Sequence, residues 1–247
     1  MTIEFAAILL AGALIGGFVN GLAGFGTALL ALGVWLQIMP PQQAIALVLV
    51  TSVLSGLQGI WIVRREICRH RMRLARYLLP ALAGLPLGFL MLPFISASVL
   101  KIALAILLVS YGAYFTLRRQ LPQFDRSTPI ADVAVGFVGG VMGGAASLSG
   151  AIPTMWVGMR PWPKGEMRAV LQPFNVVVLA LTGAYFAWLG VYSRETVILV
   201  LVALPATLLG AQVGIFAFHR LGHTAFRWLL IILLFGSGLL IAIRELL

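Results

Sequence analysis

Long apolar runs separated by short polar segments dominate this chain of 247 residues. Most of the later runs approach the ~20 residues that a helix needs to cross a ~30 Å hydrocarbon core. The pattern therefore predicts an all-α integral membrane protein. Ten runs can be distinguished, at residues 5–19, 25–39, 42–63, 77–95, 98–117, 130–146, 148–159, 167–190, 195–217 and 228–244.

The first two runs are shorter, and each would form a helix of only about 22 Å. Residues 130–146 and 148–159 form a similarly short, glycine-broken pair. Each pair is either two short tilted spans or the two arms of a hairpin that enters and leaves the membrane on one side. Both alternatives leave the rest of the topology unchanged.

One glycine motif occurs twice in the chain. Residues 17–24 read GFVNGLAG and residues 136–143 read GFVGGVMG, a spacing of 119. Further along, Gly84 and Gly88 align with Gly210 and Gly214, a spacing of 126. Paired, glycine-interrupted segments in matching places are typical of secondary transporters built from repeats.

The repeat predicts two halves of about five helical elements each, residues 1–124 and 125–247. A longer loop around residues 159–164 would absorb the change in spacing. Because five is an odd number of elements, the second half must run inverted relative to the first. Each half then begins with a glycine-broken short helix or hairpin.

Composition agrees with a membrane protein. The chain is 61% hydrophobic and 10% charged, with a mean hydropathy of +1.05, whereas soluble domains carry roughly 25% charged residues. The net charge of +10 comes from basic residues in short loops, so we expect it to set topology and not to bind nucleic acid. The single cysteine, Cys68, gives no metal or redox motif, and we expect no cofactor.

Basic residues also predict the orientation. Four connections between runs, all on one side in this topology, hold 14 of the 17 Lys and Arg residues. By the positive-inside rule that side is cytoplasmic and both termini lie outside. We therefore expect a multi-pass protein of the cell inner (plasma) membrane. Its partners are then the lipid bilayer and a small anionic substrate, and a homodimer is left open.

The two glycine clusters are the best candidates for a substrate site. Non-helical backbone at membrane depth is tolerated only where protein or a water-filled cavity surrounds it. A helix that starts after such a break offers free N–H donors and a partial positive charge, which suit an anion. The candidate substrate-binding residues around the two clusters are Asn20, Gly24, Phe25, Gly26, Thr27, Ser147 and Ser149.

Amides inside the apolar runs extend this set. Gln172 and Asn175 flank Pro173, which frees a carbonyl in its helix, so we add both to the substrate-binding candidates. The alternative role for such amides is bonding between helices. The first-half runs also contain polar residues, namely Thr51, Ser52, Ser55 and Gln58. Ser and Thr can bond the carbonyls of their own helix, so Ser55 and Thr182 carry little weight.

Close helix packing is the alternative role for the glycines. Small residues four apart let two helices touch. We expect this role for Gly84, Gly88, Gly210 and Gly214. The clusters at residues 21–26 and 143–144 are denser than one contact face requires, which favours a substrate site there.

The absence of ionisable residues near the centre of any run is also informative. Asp132, Glu166 and Arg168 fall at predicted cytoplasmic ends. A proton relay therefore has no carriers, and we expect the anion to be held by helix starts, hydroxyls and amides and not by a buried Arg or Lys. We also expect no catalytic or metal-binding residues, and hence no enzyme.

Residues 16–26 (GGFVNGLAGFG), their echo at 136–140 and the segment 204–214 (LPATLLGAQVG) resemble the signatures of the TauE/SafE family. That resemblance implies a sulfite exporter or sulfonate uptake permease. We expect a secondary transporter that moves sulfite, sulfoacetate or another organosulfonate by alternating access. An anion channel, or a carrier of the same fold for carboxylates or other organic anions, is the alternative.

Overall fold

The computed structural model describes residues 2–91, scattered residues between 102 and 116, and residues 128–246. Half of the predicted run 98–117 lies outside this part of the chain, and its described residues are helical. The described residues form no strand, and nine helices among them have defined bounds. These are α1 (Ile3–Ala23), α2 (Thr27–Trp35), α3 (Pro41–Arg69), α4 (Arg71–Met91), α5 (Pro129–Ala146), α6 (Ala151–Gly158), α7 (Lys164–Trp188), α8 (Arg194–Arg220) and α9 (His223–Leu246).

Six of these helices are long and apolar enough to cross a membrane: α1, α3, α4, α5, α7 and α8. The predicted all-α membrane class is therefore confirmed. The first run was predicted too short. Helix α1 continues through the glycine-rich segment to Ala23 and has 21 residues, which is about 31 Å of helix.

Helices α1 and α2 form a hairpin, here called the first hairpin. Successive turns of α1 meet α2 in reverse order, because Gly12 packs on Trp35 and Gly16 packs on Ala31. The Trp35 Nε1 donates a hydrogen bond to the Leu9 carbonyl at 3.1 Å. The first two apolar runs therefore lie antiparallel and in contact.

Helices α5 and α6 form the second hairpin in the same way. Gly143 packs on Ser149 near the tip, and Gly139 packs on Pro153 one turn away from it. At the open end, the Trp156 Nε1 donates to the Asp132 carboxylate at 2.7 Å. Both glycine-broken pairs are thus hairpins.

The long arm of each hairpin packs on a helix from the other half of the sequence. A Cβ at Gly17 would clash with the carbonyl of Thr207, and a Cβ at Gly21 would clash with that of Ala211. Helices α1 and α8 therefore run parallel with their backbones in contact. Gly210 contacts α1 in the same way, so its predicted packing role, shared with Gly214, is confirmed.

Helices α4 and α5 repeat this contact. Gly136 packs on Tyr77 and Gly140 packs on Ala81, again in parallel order. From the other side, Gly84 and Gly88 meet backbone atoms of α5, which confirms their predicted packing role. Small residues are needed at such contacts because any side chain would hold the two backbones apart.

The two hairpins match at a spacing of 123 residues. Helix α1 ends on Gly24 and α5 ends on Ser147, both with positive φ. The caps before α3 and α7 are Pro40 and Pro163, with nearly identical φ and ψ. The predicted spacing of 119 is therefore wrong by four residues, one helical turn. The loop around residues 159–164 is no longer than its counterpart, so it does not absorb the change.

Helices α3 and α7 pack together between the hairpins. A Cβ at Gly56 of α3 would clash with Val176 of α7, and the Gln172 Nε2 donates to the Gly56 carbonyl at 3.1 Å. Helix α7 contributes many of the fully buried side chains, among them Phe174. Polar side chains on α3 and α7 are thereby placed next to the hairpin tips.

Candidate functional site

The tip of the first hairpin is a three-residue break, Gly24 to Gly26. Gly24 has φ +84° and Gly26 has φ +102°, a left-handed conformation that glycine adopts without the steric cost a Cβ would bring. The Gly24 N–H donates to the Asn20 carbonyl and ends α1. Helix α2 then starts at Thr27 with no side chain capping it.

The tip of the second hairpin is a four-residue break, Ser147 to Gly150. Ser147 has φ +59° and is the one non-glycine residue with positive φ in the described part of the chain. Helix α6 starts at Ala151, and no side chain caps it. Left-handed backbone is uncommon at a residue with a Cβ, and it persists only where the surrounding structure holds it in place.

The two breaks meet each other. A Cβ at Gly150 would lie 2.9 Å from the Phe25 Cβ. Between the tips is a cavity of about 10 Å³, room for about one water. Its lining comes from both hairpins and from α3 and α7: Phe25, Gly26, Thr27, Ala28, Ser52, Ser147, Leu148, Gly150, Ala151, Asn175 and Leu179.

Two hydroxyls at this cavity are unpaired. The Ser52 and Ser147 Oγ atoms are buried and make no hydrogen bond within the described part of the protein. Buried polar groups are normally bonded, and an unpaired one calls for an explanation. Together with the uncapped starts of α2 and α6, they supply donors without any carboxylate in the lining.

Five of the nine predicted site residues line the cavity. The Thr27 hydroxyl donates to the Gly16 carbonyl at 3.4 Å. The Asn175 Oδ1 accepts from the Ser149 Oγ at 2.5 Å, so Ser149 touches the site through Asn175. The five lining residues are Phe25, Gly26, Thr27, Ser147 and Asn175.

The other predicted residues lie behind the cavity wall. The Asn20 Nδ2 donates to the Ser52 carbonyl at 3.0 Å and to the Ser55 Oγ at 2.7 Å, so it joins α1 to α3. Gly24 packs on Gln172, which bonds α3 through Gly56. These three residues position the first break and do not face the cavity.

The sequence model of the family "Sulfite exporter TauE/SafE" matches residues 8–241. The chain belongs to the TauE/SafE family. Neither curated proteins nor solved structures gave a match. The predicted family is therefore confirmed, and with it a multi-pass membrane transporter of the sulfite exporter class. A small-molecule substrate and the lipid bilayer are the partners that membership implies.

In this TauE/SafE chain, Ser52 was named among the polar residues of the apolar runs but not among the predicted substrate-binding residues. Serines in helices commonly bond their own backbone, as the Ser55 Oγ does to the Thr51 carbonyl at 2.6 Å. Ser52 makes no such bond. A usable signal was its position relative to Asn175, because the two lie 123 residues apart, the spacing that also separates the breaks.

Three charged residues are more deeply buried than the sequence indicated, and one of them is Arg160 of the predicted loop, which is 3% exposed. Arg168 is 0% exposed and Asp132 is 5% exposed. Asp132 is paired: its Oδ1 accepts from the Tyr77 hydroxyl at 2.7 Å and from the Arg160 Nη2 at 3.1 Å. Asp132 and Arg168 lie in the first two turns of their helices. Other helices pack over those turns and exclude solvent. The sequence of one helix does not show which other helices will cover it.

Proposed function

We propose that this protein is a secondary transporter for a small sulfur-containing anion, such as sulfite, sulfoacetate or another organosulfonate, in the cell inner membrane. The anion binds between the two breaks and crosses by alternating access. The family supports the substrate class. The site itself is supported by one observation: two uncapped helix starts and two unpaired hydroxyls converge on one cavity.

The donor set suits an oxyanion. N–H groups at helix starts carry partial positive charge, and hydroxyls of Ser52 and Ser147 can turn to donate. Each hydrogen bond to a charged ligand is worth ~1.5–3 kcal/mol. A handful of such bonds is enough for micromolar to millimolar binding, which corresponds to about 4–8 kcal/mol.

The size of the cavity supports alternating access. At about 10 Å³, it has room for about one water and none for a sulfonate group, so the tips must separate to admit the anion. Phe25 and Gly150 are in contact at the closed tip. The hairpins are the elements that have to move.

The two-repeat organisation, residues 1–124 and 125–247, belongs to this proposal. It is supported by the exchanged contacts: α1 runs parallel to α8, and α5 runs parallel to α4. Each repeat supplies one hairpin and the helix that carries the other hairpin. Inverted repeats of this kind place the substrate at their interface near the middle of the membrane.

Counterflow in proteoliposomes tests the proposal. Vesicles preloaded with unlabelled sulfite or sulfoacetate should take up the labelled anion faster than empty vesicles, and uptake should saturate. A current that rises linearly with anion concentration without counterflow would establish the channel instead. Carboxylates such as acetate and succinate serve as the matched panel, and counterflow with these alone would establish a carboxylate carrier.

A further inference from the structure

Arg168 is a buried cation that the cavity between the breaks does not use. Its side chain lies in the second turn of α7 and is 0% exposed. The Nε donates to the Gln172 Oε1 at 3.0 Å. Among the described residues, neither Nη1 nor Nη2 finds an acceptor. Burying a charge without a partner is costly, so these two groups call for a ligand.

The surroundings of Arg168 are electropositive. Its guanidinium lies 4.6 Å from the centre of the Phe218 ring, and Lys164 lies 4.7 Å from the same ring. The Lys164 Nζ donates to the Phe218 and Leu221 carbonyls at 2.6 and 2.5 Å. Glu166, on the same turn of α7, is paired with Arg73 of α4 and not with Arg168.

Arg168 is connected to the cavity along one face of α7. Residues 168, 172 and 175 are spaced four and three apart, so they lie above one another on the helix. Gln172 packs on Gly24 of the first break, and Asn175 lines the cavity. From Arg168 to Asn175 the helix rises about 10 Å.

We propose that Arg168 forms a second oxyanion site, about 10 Å along α7 from the cavity, where the anion pauses between the N-terminal end of α7 and the breaks. Nη1 and Nη2 present the fork that binds two oxygens of a sulfonate or sulfite at once. Gln172 holds the guanidinium through Nε, and among the described residues both nitrogens of the fork are without an acceptor. The identity of the anion rests on the function proposed above, whereas the site rests on Arg168 itself.

Anion binding to the full-length protein in nanodiscs tests this site. The probes are sulfite, methanesulfonate and inorganic phosphate, measured by calorimetry. Arg168→Gln should weaken binding at least tenfold, and Arg168→Lys should restore only part of it because an ammonium lacks the fork. The matched control is Arg160→Gln, another buried arginine, which is paired with Asp132 and should keep the parent affinity.

Thermal unfolding without anion separates a binding role from a structural one. Arg168→Gln removes a charge without a protein partner and should leave the unfolding temperature unchanged or higher, whereas Arg160→Gln should lower it. If Arg168→Gln lowers the unfolding temperature as much as Arg160→Gln does and leaves the anion affinity unchanged, the role of Arg168 is structural. That result would overturn the inference.

The two proposals fail differently in these measurements. Equal affinity of the parent and Arg168→Gln for every anion that the parent binds overturns the Arg168 site and leaves the transport function standing. Binding of phosphate alone, lost in Arg168→Gln, overturns the sulfur-anion function and supports the Arg168 site. A parent protein that binds none of the three anions overturns both.

Discussion

The two hairpins have the same shape but reach it with different chemistry. The first break uses Gly24 and Gly26, which adopt positive φ freely, whereas the second uses Ser147 in the same region. A left-handed residue with a Cβ costs roughly 1–2 kcal/mol. The Ser147 hydroxyl faces the cavity without a partner. The comparison teaches that the first break obtains its shape from glycine, whereas the second places an unpaired hydroxyl at the cavity.

The open ends of the hairpins differ as well. In the first, Trp35 donates to a backbone carbonyl and no charge is involved. In the second, Asp132 accepts from Tyr77, Trp156 and Arg160. The first hairpin is therefore held by packing and by neutral bonds from Trp35 and Thr27. The second also contains a buried ion pair, and removing one partner would leave the other charge buried and unpaired.

The largest expected effect is at Asp132. Asp132→Ala leaves the Arg160 guanidinium buried without its carboxylate, and breaking a buried pair from one side costs about 3–5 kcal/mol. Thermal or denaturant unfolding in detergent would measure the loss. The double variant Asp132→Ala with Arg160→Met should recover part of it. A loss below 1 kcal/mol would mean that the second hairpin does not depend on this ion pair.

At the second break, Ser147→Gly should separate binding from stability. Glycine relieves the strained φ, so the protein should remain as stable as the parent. Loss of one hydrogen bond to a charged ligand costs ~1.5–3 kcal/mol, which is tenfold or more in the dissociation constant for sulfite or sulfoacetate. Calorimetry checks this. Unchanged affinity would remove Ser147 from the site.

At the first break, Gly24→Ala should have the opposite signature. A Cβ there would require left-handed backbone at about 1–2 kcal/mol and would lie 2.8 Å from the Gln172 Oε1. We expect reduced stability, measured by thermal unfolding. Gly222→Ala, where no atom lies near an added Cβ, is the control. Equal stability of the two variants would show that the first break does not need glycine.

The smallest expected effect is at the start of α2. Thr27→Val keeps the shape and removes the 3.4 Å bond to the Gly16 carbonyl, so stability should fall by only ~0.5–1.5 kcal/mol. Anion affinity should change less than in Ser147→Gly, because the Thr27 hydroxyl already donates to a carbonyl whereas the Ser147 hydroxyl has no partner among the described residues. If Thr27→Val lost more anion affinity than Ser147→Gly, the first break would contribute more to binding than the second.

Local signals in the sequence were enough for the membrane class, the family, the two breaks and the packing role of Gly84 and Gly210. Hydropathy and glycine density are properties of short segments, and the structure preserves them. The spacing between the two halves was predicted wrongly by one helical turn, because identical residues in two segments do not show where each helix ends. The positions of Ser52 and Arg168 were missed because burial depends on which distant helix covers a turn.

The contact between α1 and α8 also has a consequence in time. Gly17 and Thr207 touch although they lie 190 positions apart in the chain, and a ribosome adds ~5–20 residues per second. Helix α1 therefore leaves the ribosome ~10–40 s before the helix that covers its glycine face exists. During that interval the bare glycine face needs a temporary cover, from lipid or an insertion chaperone. Helix α4 waits only about a third as long for α5, because Tyr77 and Gly136 are much closer in the chain.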